Sequence, residues 1–205
     1  MPRRGTALDV GANQGFFAYA LAAVADRVIA FEPNPDYWLF SRIMLRGKAE
    51  VRRLALSNTS GHATFHVPVS KEGVVLHLAG SLDETHTRLF AQVRHYDVEI
   101  ATIDELALRD VHFIKVDVEG TERDVLDGGR ATIMRDRPAL VLELLSGTHA
   151  DPGAVTAGIC KDFGYEAFIV KRDGTIPALP AIAALGSNST YNTDIETRNV
   201  LFVAK

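Results

Sequence analysis

The chain has one cysteine, Cys160, among its 205 residues. An intramolecular disulfide is therefore excluded, and so is a cysteine-dominated metal site. No apolar run approaches the roughly 20 residues that a membrane-spanning helix needs. Basic charge is short as well: 22 Lys and Arg against 26 Asp and Glu leave a formal net charge of −4. That balance disfavours nucleic acid or an anionic membrane as a partner. The opening Met1-Pro-Arg-Arg-Gly-Thr6 reaches Asp9 before any apolar stretch forms, so no secretory signal is read there. A reducing, cytoplasmic setting is the expectation. Internal repeats and long linkers are also missing, so residues 1–205 are expected to form one domain.

What the sequence does contain is an alternation of short apolar runs with helical patterns. Ala7–Val10, Arg27–Phe31, Glu50–Leu56, Val111–Val118, Ala139–Leu145, Glu166–Lys171 and Asn199–Ala204 read as strands. Gln14–Val24 is apolar almost all round and is predicted to pack as a helix on a sheet. Asn34 stands where an N-cap belongs and Pro35 at the first helical position, with Gly47 as the stop. Thr121 is placed to cap a further helix with Asp124 three residues on, and Gly128-Gly129 interrupts it. Asp151-Pro152 opens another, with Val155, Ile159 and Phe163 on one face and Gly164 at its end. Strands alternating with helices predict an α/β, doubly wound, mostly parallel sheet with helices on both faces. Gly61–Val67 and Asp97–Ile103 alternate like strands. The stretch 68–96 that spans the gap has no clear period and reads as an insertion that shapes a substrate site.

The turn Asp9-Val-Gly-Ala-Asn-Gln-Gly15 joins the first strand to the first helix. Gly11 and Gly15 allow a tight turn and close approach to a ligand, at the end of the sheet where doubly wound folds bind nucleotides. The central glycine of a dinucleotide fingerprint is missing, and so is the Gly-Lys-Ser/Thr of a P-loop. Instead Asp9 ends the strand. A carboxylate there repels a pyrophosphate and suits a ligand with an amino group and a sulfonium, such as S-adenosylmethionine (SAM). The alternative is a generic strand-turn-helix with helpful glycines. Glu32 ends the second strand, 23 residues after Asp9. An acid at about that spacing accepts hydrogen bonds from ribose hydroxyls, which supports an adenosine ligand in general.

Several spaced blocks then carry a resemblance. D-V-G-A-N-x-G at Asp9, V-I-A-F-E-P-N-P at Val28, A-L-S-N-x-x-G at Ala55, F-I-K-V-D-V-E-G-x-E at Phe113 and P-A-L-V-L-E at Pro138 occur in order, with a weaker echo at Phe163-Gly-Tyr165 and Asn199–Phe202. Together they resemble the FkbM-type methyltransferases. The resemblance implies a Rossmann-like class I methyltransferase fold, a seven-stranded sheet with an antiparallel strand near the C-terminus. It implies SAM as cofactor, S-adenosylhomocysteine (SAH) as product, and O-methylation of a sugar, glycolipid or natural-product hydroxyl. Carried over by position, Asp9, Gly11, Asn13 and Gly15 would hold the methionine part of SAM and Glu32 the ribose. Pro33, Asn34 and Ala55-Leu56-Ser57 would lie near the adenine. Members often have residues ahead of the first strand that cover the site. Few stand there here, which leaves a cover from elsewhere in the chain or a homodimer open.

An alcohol is a poor nucleophile at neutral pH, so methyl transfer to it needs a base. The strand Phe113–Asp117 ends in Asp117-Val-Glu119-Gly120, where that base is expected. Alternation puts Lys115, Asp117 and Glu119 on one side while the strand lasts. Asp117 is the first choice and Glu119 the second. His149, in a loop on the same rim, is a third. Asp117 could instead bind the cofactor's amino group, or the acids could hold Mg²⁺. Lys115, in mid-strand, needs a partner when covered, and Asp117 or Glu143 could supply it.

Other features carry less. Asn34-Pro-Asp-Tyr37 resembles a DNA amino-methylase signature but follows the wrong strand, and capping explains it. The remaining histidines show no ligand spacing. The proline-broken Ile176–Leu185 could be a flap or a dimer contact. The competing readings are an NAD-dependent oxidoreductase and a non-catalytic SAM-binding module.

Overall fold

The computed structural model describes residues 5–88, 90–144, 152–169 and 199–205. The first half runs β1 (Thr6–Val10), α1 (Phe16–Leu21), β2 (Arg27–Phe31), α2 (Pro35–Met44), β3 (Glu50–Arg52), β4 (Ala55–Leu56) and β5 (Gly61–Val69). Two short 3₁₀ turns, His77–Ala79 and Glu84–Thr87, lead to β6 (Gln92–Ala101). Then follow β7 (Val111–Val116), α3 (Glu122–Gly128), α4 (Arg130–Asp136), β8 (Ala139–Glu143), α5 (Pro152–Phe163), β9 (Tyr165–Ile169) and β10 (Asn199–Ala204).

The main sheet has seven strands in the order β3-β2-β1-β7-β8-β10-β9. Its first five strands are parallel, and β10 runs antiparallel to both β8 and β9. This is the mostly parallel Rossmann-like class I methyltransferase sheet with its antiparallel strand near the C-terminus. The order reverses between β1 and β7, so the carboxyl ends of β1, β2 and β7 form the crevice where such sheets bind ligands. One core cluster packs the β7, β8 and β10 residues Ile114, Leu140 and Phe202 with Leu126 of α3 and Ile159 of α5, all wholly buried. Each such side chain contributes about 1.5–3 kcal/mol. On the other face α1 and α2 bury little more than Ala18, Leu21, Ser41 and the adjoining Leu45.

Three sequence expectations change. Glu50–Leu56 is two strands: β3 pairs with β2, and β4 leaves to pair with β6. Leu54, Ala55 and Leu56 are all buried, and three buried neighbours break the alternation that one half-covered strand requires. The first helix is six residues long, and Phe16, Phe17 and Tyr19 stay exposed despite their apolar character. Thr121 does not cap α3 with its side chain. Glu122, the first helical residue, instead braces the turn before the helix, its carboxylate accepting from the N–H groups of Val118 and Gly120.

The aperiodic stretch 68–96 is framed by one long ribbon. β5 and β6 pair antiparallel from Gly61 opposite Ile100 to Val69 opposite Gln92, forming a separate three-stranded sheet, β4-β6-β5. β5 is an edge strand, which is where Pro68 is tolerated. Beyond the ribbon, Ser81 donates its hydroxyl proton to the Glu119 carbonyl at 2.9 Å and ties the excursion to the end of β7.

Candidate active site

The loop after β1 is built from its own hydrogen bonds. Gly11 and Ala12 both donate to the Phe31 carbonyl at 3.0 Å, and Gly15 donates to Ala12 at 2.8 Å. The Asn13 N–H donates to Glu32 Oε2 at 2.6 Å, and the Gln14 N–H to Asn13 Oδ1 at 2.7 Å. Every N–H from Gly11 to Gly15 therefore has an acceptor inside the protein. A phosphate cradle works by pointing such groups at the ligand, so this loop has none to give a pyrophosphate. The ground for the oxidoreductase reading goes with it. Gly11 has φ +76°, and a Cβ there would lie 1.8 Å from the Asp117 carbonyl oxygen. Only glycine lets the loop rest against the end of β7.

Glu32 is buried, and its second oxygen accepts from the Asn34 N–H at 2.8 Å. Burial drives its pKa from the usual 4.5 up to about 7, against the pull of those two N–H groups. Asn34 caps α2 through Asp36 N–H, as its position in the sequence predicts, and its amide nitrogen meets His77 Nδ1 at 3.1 Å. His77 also packs on the Tyr37 ring.

Lys115 holds the centre. Its Nζ lies 3.1 Å from Asp117 Oδ2, 3.4 Å from Asp9 Oδ1 and 3.1 Å from the Gly11 carbonyl. The expected pairing with Asp117 is present. The neighbouring strand's partner is Asp9 and not Glu143, because the register sets Asp9 beside Lys115 on one side and Val141 on the other. Asp9 is fully buried, and neither of its oxygens makes a hydrogen bond. Burial raises its pKa, opposed by Lys115. Burial alone would lower Lys115, but Asp9 and Asp117 outweigh it and keep the ammonium protonated.

A cavity of about 320 Å³ opens over this end of the sheet, at the lower end of the range for small-molecule sites. Of the residues expected from the sequence, Gly11, Asn13, Glu32 and Pro33 line it from one side, Ala55 and Leu56 from another, and Asp117 and Glu119 from the end of β7. Glu119 reaches it by another route than strand alternation, since β7 stops at Val116 and Glu119 has φ +57°. Asp9, Gly15, Asn34 and Ser57 sit behind the lining and not in it. His149 and residues 176–185 lie outside the described residues. The sequence reading missed the apolar wall of Leu54, Phe65 and Leu82, and also His77 and Glu143 as lining residues. Gly80 makes room for that wall, since a Cβ there would strike the Phe65 ring at 2.5 Å. Among the described residues no group of three or more His, Cys, Asp or Glu side chains gathers to hold a metal ion. No helix among them is long and apolar enough to cross a membrane.

The FkbM methyltransferase domain matches residues 9–173. The chain belongs to the FkbM methyltransferase family. Family membership implies use of SAM. Among solved structures it is similar to the FkbM methyltransferase from Methylobacillus flagellatus KT, at 16% identity and TM-score 0.60 over 97% of this chain and 43% of that one. This chain thus spans less than half the length of that protein. It is also similar to a TehB-like SAM-dependent methyltransferase from Corynebacterium glutamicum, at 13% identity and TM-score 0.51 over 100% of this chain and 82% of that one. At these identities the likeness shows the fold. No curated protein matches the chain.

Proposed function

We propose that this FkbM-family protein is an O-methyltransferase that uses SAM to methylate a hydroxyl of a sugar, glycolipid or natural product. The observation that carries the reading is the Asp117 carboxylate at the cavity floor, fixed by Lys115 at 3.1 Å. The residues present suit the cofactor. The loop denies N–H groups to phosphates, Glu32 is a buried carboxyl at the end of β2, and the carboxylates of Asp117, Glu119 and Glu143 also line the cavity. SAM would supply an electrophilic methyl group on a sulfonium cation.

The protein's own residues do the rest. Gly11 and Asn13 shape the floor on which the methionine part rests. Glu32 accepts from ribose hydroxyls, and Pro33, Ala55 and Leu56 enclose the adenine. Asp117 orients the acceptor hydroxyl and takes its proton as the methyl group transfers, with Glu119 beside it. Fixing the hydroxyl in line for attack supplies the positional part of the rate, and proton removal contributes typically 10²–10⁴-fold. Leu54, Phe65 and Leu82 give the acceptor an apolar wall.

Two measurements test this. SAH should raise the melting temperature and NAD should not; the reverse outcome sinks the cofactor assignment. With the true acceptor, Asp117→Asn should lower kcat by about 10²–10⁴-fold while SAH still binds. Unimpaired turnover would remove Asp117 as the base. Activity unaffected by EDTA would answer the Mg²⁺ alternative.

A further inference from the structure

Helix α2 turns its apolar side chains the wrong way for a helix bordered by water. Its buried side is Ser41, followed by Leu45 in the closing turn. Its opposite side carries Leu39 and Ile43, exposed at 53% and 68%, with Phe40 on the flank at 43%. In a water-facing helix the stripe farthest from the core is polar. At about 100° per residue, Leu39 and Ile43 fall about 40° apart on the side away from Ser41. The neighbouring α1 touches α2 where Gly15 meets Leu45 and Ser41, and it adds the exposed rings of Phe16, Phe17 and Tyr19. Taking about 200 Å² for a whole large side chain, Leu39, Phe40 and Ile43 expose on the order of 300 Å² and the α1 rings about as much again. Together they reach the upper end of the patch a monomer usually shows, so a pairing through this face is expected to be a weak, concentration-dependent one.

We propose that this face pairs with the same face of a second copy, α2 lying antiparallel to α2 of its partner across a two-fold axis. The outward stripe is complementary to itself. Antiparallel pairing centred at the level of Ser41 sets Leu39 against Ile43 of the partner subunit, and Ile43 against the partner's Leu39. The same register brings Asp36, in the first turn, to Arg46 of the partner subunit at the closing turn, and the converse. Both side chains are exposed, and Arg46 makes no ion pair among the described residues. An acid at one end, a base at the other and aliphatic side chains between them match their own inverted image, which is what an isologous interface requires. A lipid surface would accept the aliphatic centre, and Arg42 and Arg46 suit headgroups; but Arg42 stacks on the Trp38 ring, and on the stripe itself Asp36 balances Arg46, a neutral pair that only a second copy matches. The pairing also reaches the cavity. Asp36 Oδ2 lies 4.0 Å from Nε2 of His77, a cavity-lining residue, so the partner's Arg46 would arrive at the mouth of the site. The inference rests on the outward faces of α2 and α1 and does not depend on the proposed activity.

Sedimentation velocity of the ligand-free chain over a wide concentration range tests it. A monomer–dimer equilibrium is expected. Ile43→Asp should abolish the dimer while circular dichroism stays as in the parent, and its thermal midpoint should match that of the parent at monomeric concentrations. Asp36→Arg and Arg46→Asp, each alone, should weaken the dimer about tenfold by replacing two symmetry-related attractions with repulsions. The two together in one chain restore the attraction, and dimer affinity should return. A monomer at every concentration overturns the proposal, as does a dimer indifferent to Ile43→Asp or a double swap no better than its single parents. Flotation with phosphatidylcholine vesicles that Ile43→Asp abolishes would assign the face to lipid and overturn it too.

Discussion

The buried Glu32 makes stability depend on pH in a direction opposite to most carboxylates. In the unfolded chain it ionises near 4.5, and in the folded protein at about 7. Between those values the unfolded chain releases the proton and the folded protein keeps it. The stabilisation is complete below 4.5 and is lost as pH rises through about 7. The separation of the two values corresponds to about 3 kcal/mol. The decisive perturbation is Glu32→Gln, which cannot titrate. Glutamine meets one of the Asn13 and Asn34 N–H groups with a carbonyl and the other with an amide N–H₂, where the protonated carboxyl that fills the fold below about 7 meets both with oxygens. That loss, about 1–3 kcal/mol, is the same at every pH. The difference in unfolding free energy between parent and variant should therefore shrink or reverse by about 3 kcal/mol between pH 4.5 and 8, with equal denaturant slopes. Urea titrations at a series of pH values read it directly. Asp9 shifts in the same direction and is common to both proteins, so it drops out apart from the weak repulsion between the two carboxyls, the smallest of the influences on Glu32. Parallel stability profiles would refute the reasoning, because they would mean that Glu32 ionises in the fold as it does in water.

Three further outcomes are expected. Gly11→Ala forces a Cβ onto the Asp117 carbonyl at 1.8 Å with φ at +76°; strain and overpacking together should cost about 2–5 kcal/mol, seen as a fall in thermal midpoint. Lys115→Met leaves Asp9 buried without its cation and should destabilise by about 3–5 kcal/mol, more as rising pH ionises Asp9. Tyr165→Phe removes the buried hydroxyl that donates to the Pro138 carbonyl at 2.7 Å, for a loss of about 1–2 kcal/mol by chemical denaturation.

What could be read before the structure was what lies close in sequence. Asn34-Pro35 announced a helix start because cap chemistry is local, and Gly11 announced a tight turn for the same reason. The β7 end could be read as a site because Asp117 and Glu119 follow an apolar strand. Partners across strands could not. Nothing in the sequence distinguishes Asp9 from Glu143 as the neighbour of Lys115, because parallel register is set by packing over a hundred residues of separation. The β5–β6 ribbon pairs segments that propensity treats separately, and its turn region brings His77 and Leu82 to the cavity. Loop N–H groups were equally hidden: glycines showed that the turn could approach a ligand, and only coordinates showed its donors already engaged.

The position of β10 has a consequence for how the protein is made. β8 and β9 share no ladder; each pairs with β10, which is inserted between them. Strands β1 to β8 can assemble as the chain emerges, N-terminal parts first. β9 must wait at an open edge until residues 199–204 are synthesised. For that interval β8 presents an unpaired apolar edge of the kind that recruits foreign strands. A ribosome stalled before Asn199 would leave most of the cavity lining in place on a sheet that cannot close.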